Sequence, residues 1–167
     1  NPFLLAASCV FYGWIHPWFV SLLVLSICVD YSAALAMKRQ PAQKRRYLWL
    51  SVGTNLSILA VFKYLDFFIE SFSLALESIG LGAGPEVLGI MLPVGISFFT
   101  FQSMSYTIDV YRGKLEARAS LVDVATYVAL FPQLVAGPIE RARNLLPQLE
   151  SERVFCWSRV SSGLGLL

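Results

Sequence analysis

The chain has 167 residues, of which 56% are hydrophobic and only 14% charged, with a mean hydropathy of +0.62 and a formal net charge of +2. A water-soluble domain carries about 25% charged residues, so water is not the main solvent of this chain. A net charge this small also argues against nucleic acid as a partner.

In chain order, residues 3–15 form an apolar run that reads as part of a membrane span, broken at His16-Pro17. Residues 18–37 are apolar again and match the roughly 20 helical residues that cross a bilayer. Trp14 and Trp18 flank the break, where aromatic rings favour the lipid–water interface. Residues 38–46 carry five Lys or Arg and no acid, which places this loop in the cytoplasm by the positive-inside rule.

Residues 47–65 form a third span that returns the chain to the outer face. There Asp66, Glu70, Ser73 and Glu77 recur at helical spacing opposite Phe68, Phe72, Leu76 and Ile79, predicting an amphipathic interfacial helix over 66–80. A glycine-rich loop ends it. A fourth span is expected over 87–111, kinked or restarted near Pro93 and Gly95.

Arg112, Lys114 and Arg118 then lie on the cytoplasmic side, so the topology alternates without conflict. Residues 121–138 are short for a span and contain the breakers Pro132, Gly137 and Pro138, which predicts a re-entrant or interfacial segment beside a cavity. The fold class expected is all-α, a multi-pass transmembrane protein of the inner membrane with broken or re-entrant helices. Both ends read as cut, Asn1 opening almost directly in an apolar run and residues 161–167 starting another.

Asp30 lies in the second half of a span, where a charge costs about 2.5–3.5 kcal/mol and must face protein or water. It is either part of a polar channel or a hydrogen-bonded structural carboxyl. Lys63, near the end of its span, can snorkel to the outer surface. Residues 97–109 hold the densest polar run, including Ser97, Thr100, Ser103, Ser105 and Thr107. Gln102, Tyr106 and Asp109, spaced by four and three, share one helical face. They either line an aqueous tunnel or pack helices together, and Asp109 can also pair with Arg112. His16 is the only histidine, and beside a proline at an interface it reads as structural. Cys9, Cys28 and Cys156 lack metal-ligand spacing and read as free thiols packed as small hydrophobes. No phosphate loop, nucleophile elbow, paired catalytic carboxylates or metal cluster is visible in the sequence.

The run Leu-Pro-Val-Gly-Ile-Ser-Phe-Phe-Thr-Phe-Gln-Ser-Met-Ser-Tyr-Thr-Ile-Asp-Val-Tyr-Arg-Gly over residues 92–113 resembles the signature of bacterial membrane-bound O-acyltransferases. Phe-Pro-Gln-Leu-Val-Ala-Gly-Pro-Ile-Glu-Arg over 131–141 and Leu-Leu-Pro-Gln-Leu over 145–149 are similar to that family's next block, in the same order. With Phe11-Tyr12-Gly13-Trp14 and Phe62-Lys63-Tyr64, the resemblance covers most of the chain. The branch it points to contains the membrane subunits of alginate O-acetyltransferase and teichoic-acid D-alanyltransferase.

The resemblance implies a helical tunnel in which an acyl group, acetyl in the first instance, passes from a cytoplasmic thioester to a hydroxyl of an exported polysaccharide or other cell-envelope acceptor. The donor is acyl-coenzyme A or an acyl-carrier-protein thioester, a co-substrate and not a bound cofactor. Besides the bilayer, implied partners are that carrier protein and a periplasmic acyltransferase. The family's catalytic residue is a membrane-buried histidine in the second half of the protein, acting as general base. His16 precedes the signature and does not match it. No catalytic residue or metal ligand is therefore assigned, and this chain alone is expected to be inactive.

Gln102, Tyr106, Asp109, Pro132, Gln133, Gly137, Pro138 and Arg141 stand at motif positions, and the resemblance implies that they line or shape the tunnel. A transporter or flippase, whose broken helices also carry intramembrane polar residues, is the rival from another class. A non-catalytic membrane scaffold is the third. The basic loop 38–46 either meets donor phosphates or an acidic carrier, or serves only topology and anionic lipid.

Overall fold

The computed structural model describes residues 1–14, 17–80, 88–89, 91–137, 140–151 and 157. His16, Pro138 and Cys156, and the starting residue of the expected fourth span, lie outside them. Every regular element among the described residues is helical. Helix α1 is Pro2–Gly13 and α2 is Phe19–Arg39, the latter followed by a 3-10 turn at Pro41–Gln43. Helix α3, Lys44–Leu59, passes through a π-helical turn at Ala60–Tyr64 into α4, Leu65–Ser78. Then come α5, Ile96–Tyr111; α6, Leu121–Ala129; α7, Phe131–Ala136; and α8, Ala142–Glu150.

One described helix, α2, is long and apolar enough to cross a membrane, while α1 and the run from α6 into α7 are shorter apolar helices. Helices α2, α3 and α5 pack on one another as a three-helix unit, and α6 with α8 closes a second layer against α1, α2 and α5. Tyr12, Phe19, Leu23, Ile27, Phe99, Tyr106, Tyr127 and Leu146 form much of the core between these layers.

Beside this apolar core, the side chains depart from those of a water-soluble bundle in two ways. Ser26, Asp30, Ser51, Asn55, Thr100, Gln102 and Thr107 are fully buried. Phe3, Val10, Trp14, Trp49, Leu50, Phe67 and Phe68 are exposed. In α4 no residue is buried, and its aromatic side chains stand free of the bundle.

The fourth apolar stretch has no regular structure over 91–93, and its helix starts only at Ile96. Gly95, the N-cap of α5, has φ 74°, a left-handed conformation. A Cβ there would sit 2.9 Å from the Leu134 carbonyl oxygen. Tyr12 donates a 2.9 Å hydrogen bond to the Val94 carbonyl and fixes the same turn from α1. Replacing Gly95 by alanine should cost about 2 kcal/mol or more, from the left-handed penalty plus this clash, read as lowered thermal stability in detergent. Unchanged stability would mean that the turn is not held against α7.

The segment from residue 121 breaks where its sequence requires it. Ser120 caps α6, its hydroxyl accepting from the Asp123 amide at 3.3 Å. An unbroken helix would drive the Pro132 ring into the Val128 carbonyl, so the backbone turns out of helix at Leu130 (ψ 109°) and restarts as α7.

Candidate functional site

A helix break leaves backbone groups without partners, and inside an apolar layer each must find one. Without the break, the Phe131 amide would bond to the Tyr127 carbonyl four residues back. Instead the Phe131 amide donates to the Ser8 hydroxyl of α1 at 3.3 Å. The Tyr127 carbonyl accepts from Gln102 Nε2 of α5 at 2.7 Å. One lost backbone bond is thus replaced at both ends by side chains from two other helices.

Gln102 does more than fill that gap. The same Nε2 donates to Gln133 Oε1 at 2.8 Å, tying α5 to α7. Gln102 is fully buried, and its own Oε1 has no hydrogen-bond partner among the described residues. Gly137 lets α7 end tightly: a Cβ there would come within 2.8 Å of the Gln133 Cα. Ser105 Oγ lies 3.1 Å from the Tyr127 hydroxyl, which donates to the Glu140 carbonyl at 2.9 Å and so holds the chain after the second break.

Tyr106 and Asp109 share the buried face. The Tyr106 hydroxyl accepts from the Arg118 amide at 3.1 Å, and Tyr31 of α2 donates to the Ala119 carbonyl at 2.6 Å. Arg118 in turn meets Glu150 of α8 at 2.7 Å. These contacts bind the turn after α5 to the bundle. Asp109 is 4% exposed and makes no ion pair with the exposed Arg112, contrary to the pairing expected; its Oδ2 has no hydrogen-bond partner among the described residues.

Of the residues singled out in the sequence, the structure thus gathers Gln102, Gln133 and Gly137 at the break, with Tyr106 and Asp109 further along the same face of α5. Pro132 and Arg141 are exposed. Arg141 is the N-cap of α8, with its carbonyl accepting from Asn144 at 2.9 Å.

A second polar centre joins α2, α3 and α5. The Asp30 carboxylate accepts from the Ser51 hydroxyl and from Asn55 Nδ2, the latter at 2.9 Å. Ser26 donates to Asn55 Oδ1 at 2.5 Å. Ser103 and Thr107 of α5 lie close to the same carboxylate. The second Asp30 oxygen and the Ser103 and Thr107 hydroxyls are buried without a partner inside hydrogen-bond distance among the described residues. Ser26, Ser51 and Asn55 were not singled out in the sequence. The available signal is that Ser26 with Asp30, Ser51 with Asn55 and Ser103 with Thr107 are each spaced by four, so that every helix offers two polar groups on one face.

Lys63 sits in the π turn at the other end of α5, and its Nζ donates to Ser97 Oγ at 3.2 Å. Cys9 and Cys28 are free thiols, half-buried and exposed respectively.

No family model matches the chain, and no solved structure matches it significantly. Relatives of known name do. The chain is 41% identical over 157 residues to a Pseudomonas putida protein named "Probable alginate O-acetylase AlgI", covering 90% of this chain and 32% of that protein. It is 43% identical over 155 residues to the protein of the same name in Pseudomonas aeruginosa, covering 89% and 29%. To the Helicobacter pylori protein named "Peptidoglycan O-acetyltransferase" it is 33% identical over 175 residues, covering 89% and 32%. The chain therefore spans about a third of the length of these relatives. Over nine-tenths of its length, through α5 and the α6–α7 break, the chain is thus similar to bacterial proteins named for O-acetyl transfer, consistent with the resemblance of its motifs to the membrane-bound O-acyltransferases.

Proposed function

We propose that the chain forms part of a multi-pass inner-membrane O-acetyltransferase, which moves an acetyl group from a cytoplasmic thioester to a hydroxyl of an exported polysaccharide or other cell-envelope polymer. The similarity over nine-tenths of the chain to proteins named for O-acetyl transfer carries this reading. The structure supports it physically, since a bundle with polar groups inside and large apolar groups outside suits lipid as its solvent. In this reading the basic 38–46 loop is cytoplasmic and α4 lies at the outer interface. Gln102, Tyr106, Asp109, Gln133 and Gly137 shape the wall of the transfer tunnel. Pro132, Pro138 and Arg141 belong to the same broken segment.

These residues position and do not react. Buried amide and phenol groups held by other helices fix the tunnel wall without moving protons. The general base is a histidine elsewhere in the full-length protein, whose imidazole suits abstraction of an acceptor hydroxyl proton near neutral pH. Replacing that membrane-buried histidine by alanine in the full-length protein should abolish acetyl transfer to the polymer while leaving membrane insertion intact. Transfer that survives the change, or a full-length protein with no such histidine, would overturn the enzymatic reading in favour of a scaffold or a transporter.

A further inference from the structure

The polar centre where α2, α3 and α5 meet is satisfied on one side only. Asp30 is fully buried within the apolar run of α2. One of its carboxylate oxygens accepts from the Ser51 hydroxyl and from Asn55 Nδ2. The other has no hydrogen-bond partner among the described residues, and neither have the hydroxyls of Ser103 and Thr107, which lie close to the carboxylate. These three unpartnered oxygens belong to side chains no more than 1% exposed, so bulk water does not reach them. Asp30 also makes no ion pair among the described residues. Arg118, which bonds to Tyr106 on the same helix as Ser103, is engaged by Glu150.

We propose that Asp30, Ser103 and Thr107 form a site for a monovalent metal cation, sodium, which neutralises the buried carboxylate and joins α2 to α5. A carboxylate taken out of water needs a cation beside it or must give up its charge. A hydroxyl oxygen carries two lone pairs besides its proton, so Ser103 and Thr107 can turn these toward a metal ion. The set offers oxygen only, with no nitrogen or sulfur, which suits hard ions and not transition metals. Its one carboxylate balances one positive charge. A divalent ion would leave a net charge in the apolar layer. Helices α2 and α5 pack closely on each other, and the three side chains are short, so the gap suits sodium better than the larger potassium. A buried water would meet the same three oxygens but would leave the charge of Asp30 in place. The charge is what selects an ion, and the inference is independent of the transferase reading.

The test is the unfolding midpoint of the full-length protein in detergent as sodium chloride replaces choline chloride at constant ionic strength. Sodium should raise the midpoint of the parent by about 2 °C or more, and potassium should raise it less. Asp30→Asn keeps the shape of the side chain and should abolish the response. Ser103→Ala and Thr107→Val should each raise the half-maximal sodium concentration about tenfold. Asp109 is a second buried carboxylate with an unpartnered oxygen, and Asp109→Asn should respond to sodium as the parent does. A parent midpoint that ignores sodium overturns the proposal: if it follows pH instead, a proton neutralises Asp30, and if it follows neither, a water completes the centre. A response kept in Asp30→Asn, or lost in Asp109→Asn, places the ion elsewhere and overturns it too. If Asp30→Asn does not fold, the two hydroxyl variants decide, and an unshifted sodium dependence in both overturns the assignment.

Discussion

Replacing Asp30 by alanine should destabilise the folded protein by about 2–3 kcal/mol, whereas Asp30→Asn should cost about 1 kcal/mol. A polar interaction inside a membrane protein contributes about 0.6 kcal/mol on average, because the unfolded chain in lipid also finds partners. Asp30 is not one such interaction but the point where four side chains from two other helices converge, Ser51 and Asn55 from α3 and Ser103 and Thr107 from α5. Alanine takes the acceptor away from the Ser51 hydroxyl and Asn55 Nδ2 and leaves a void lined by all four polar groups, none of which can turn to water from its buried position. Asparagine keeps the shape and one acceptor oxygen, and its amide can donate to a hydroxyl. Unfolding midpoints of the full-length variants in detergent test this order. An alanine variant as stable as the parent would show that the three helices are held by apolar packing alone. An asparagine variant as damaged as alanine would show that the charge, and not the bonding pattern, is what the junction requires.

The second large effect falls on Gln102. Gln102→Leu should lower stability by about 2 kcal/mol and slow acetyl transfer by the full-length protein at least tenfold. It strands the Tyr127 carbonyl and the Gln133 side chain together, each a buried group whose desolvation costs about 1–3 kcal/mol. Leucine fills the volume, so a cavity does not account for the loss. A double-mutant cycle with Gln133→Ala isolates the bond between the two amides. The pair of changes should cost less than the sum of the single ones, because the contact can be lost only once. Rate and stability answer different questions here. If stability falls and transfer per folded molecule does not, Gln102 closes a helix break and has no part in shaping the tunnel.

The features legible in the sequence were those that depend on neighbours along the chain. The apolar run after Trp18 gave α2 nearly to its ends, since length and composition alone decide a span. Pro132 announced the break between α6 and α7, and the four-three spacing put Gln102, Tyr106 and Asp109 on one face. The start of α5 was legible as a kink or restart near Pro93 and Gly95, but not which of the two, because residues 87–95 are as apolar as the helix that follows. The left-handed Gly95, pressed against the Leu134 carbonyl, sets the start at Ile96. The partners of Asp30 stayed hidden for a different reason. They come from α3 and α5, and pairing polar groups across helices requires their rotation and height, which no single-helix pattern contains. The functional reading proposed above came from the resemblance to the acyltransferase signature, since no side chain in the run spells out a chemistry by itself.

The π turn between α3 and α4 has a mechanical consequence. A π turn inserts one residue into the helical repeat, and one residue corresponds to about 100° of rotation about the axis. Everything after Tyr64 is therefore clocked round by roughly a quarter turn from where an uninterrupted helix would carry it. Helix α3 can keep Ser51, Asn55 and Leu59 against the bundle while Asp66, Glu70 and Glu77 are carried to a different heading. The turn works like a keyed coupling on a shaft: the inner half takes its position from the bundle, and the outer half is locked to it at a fixed offset.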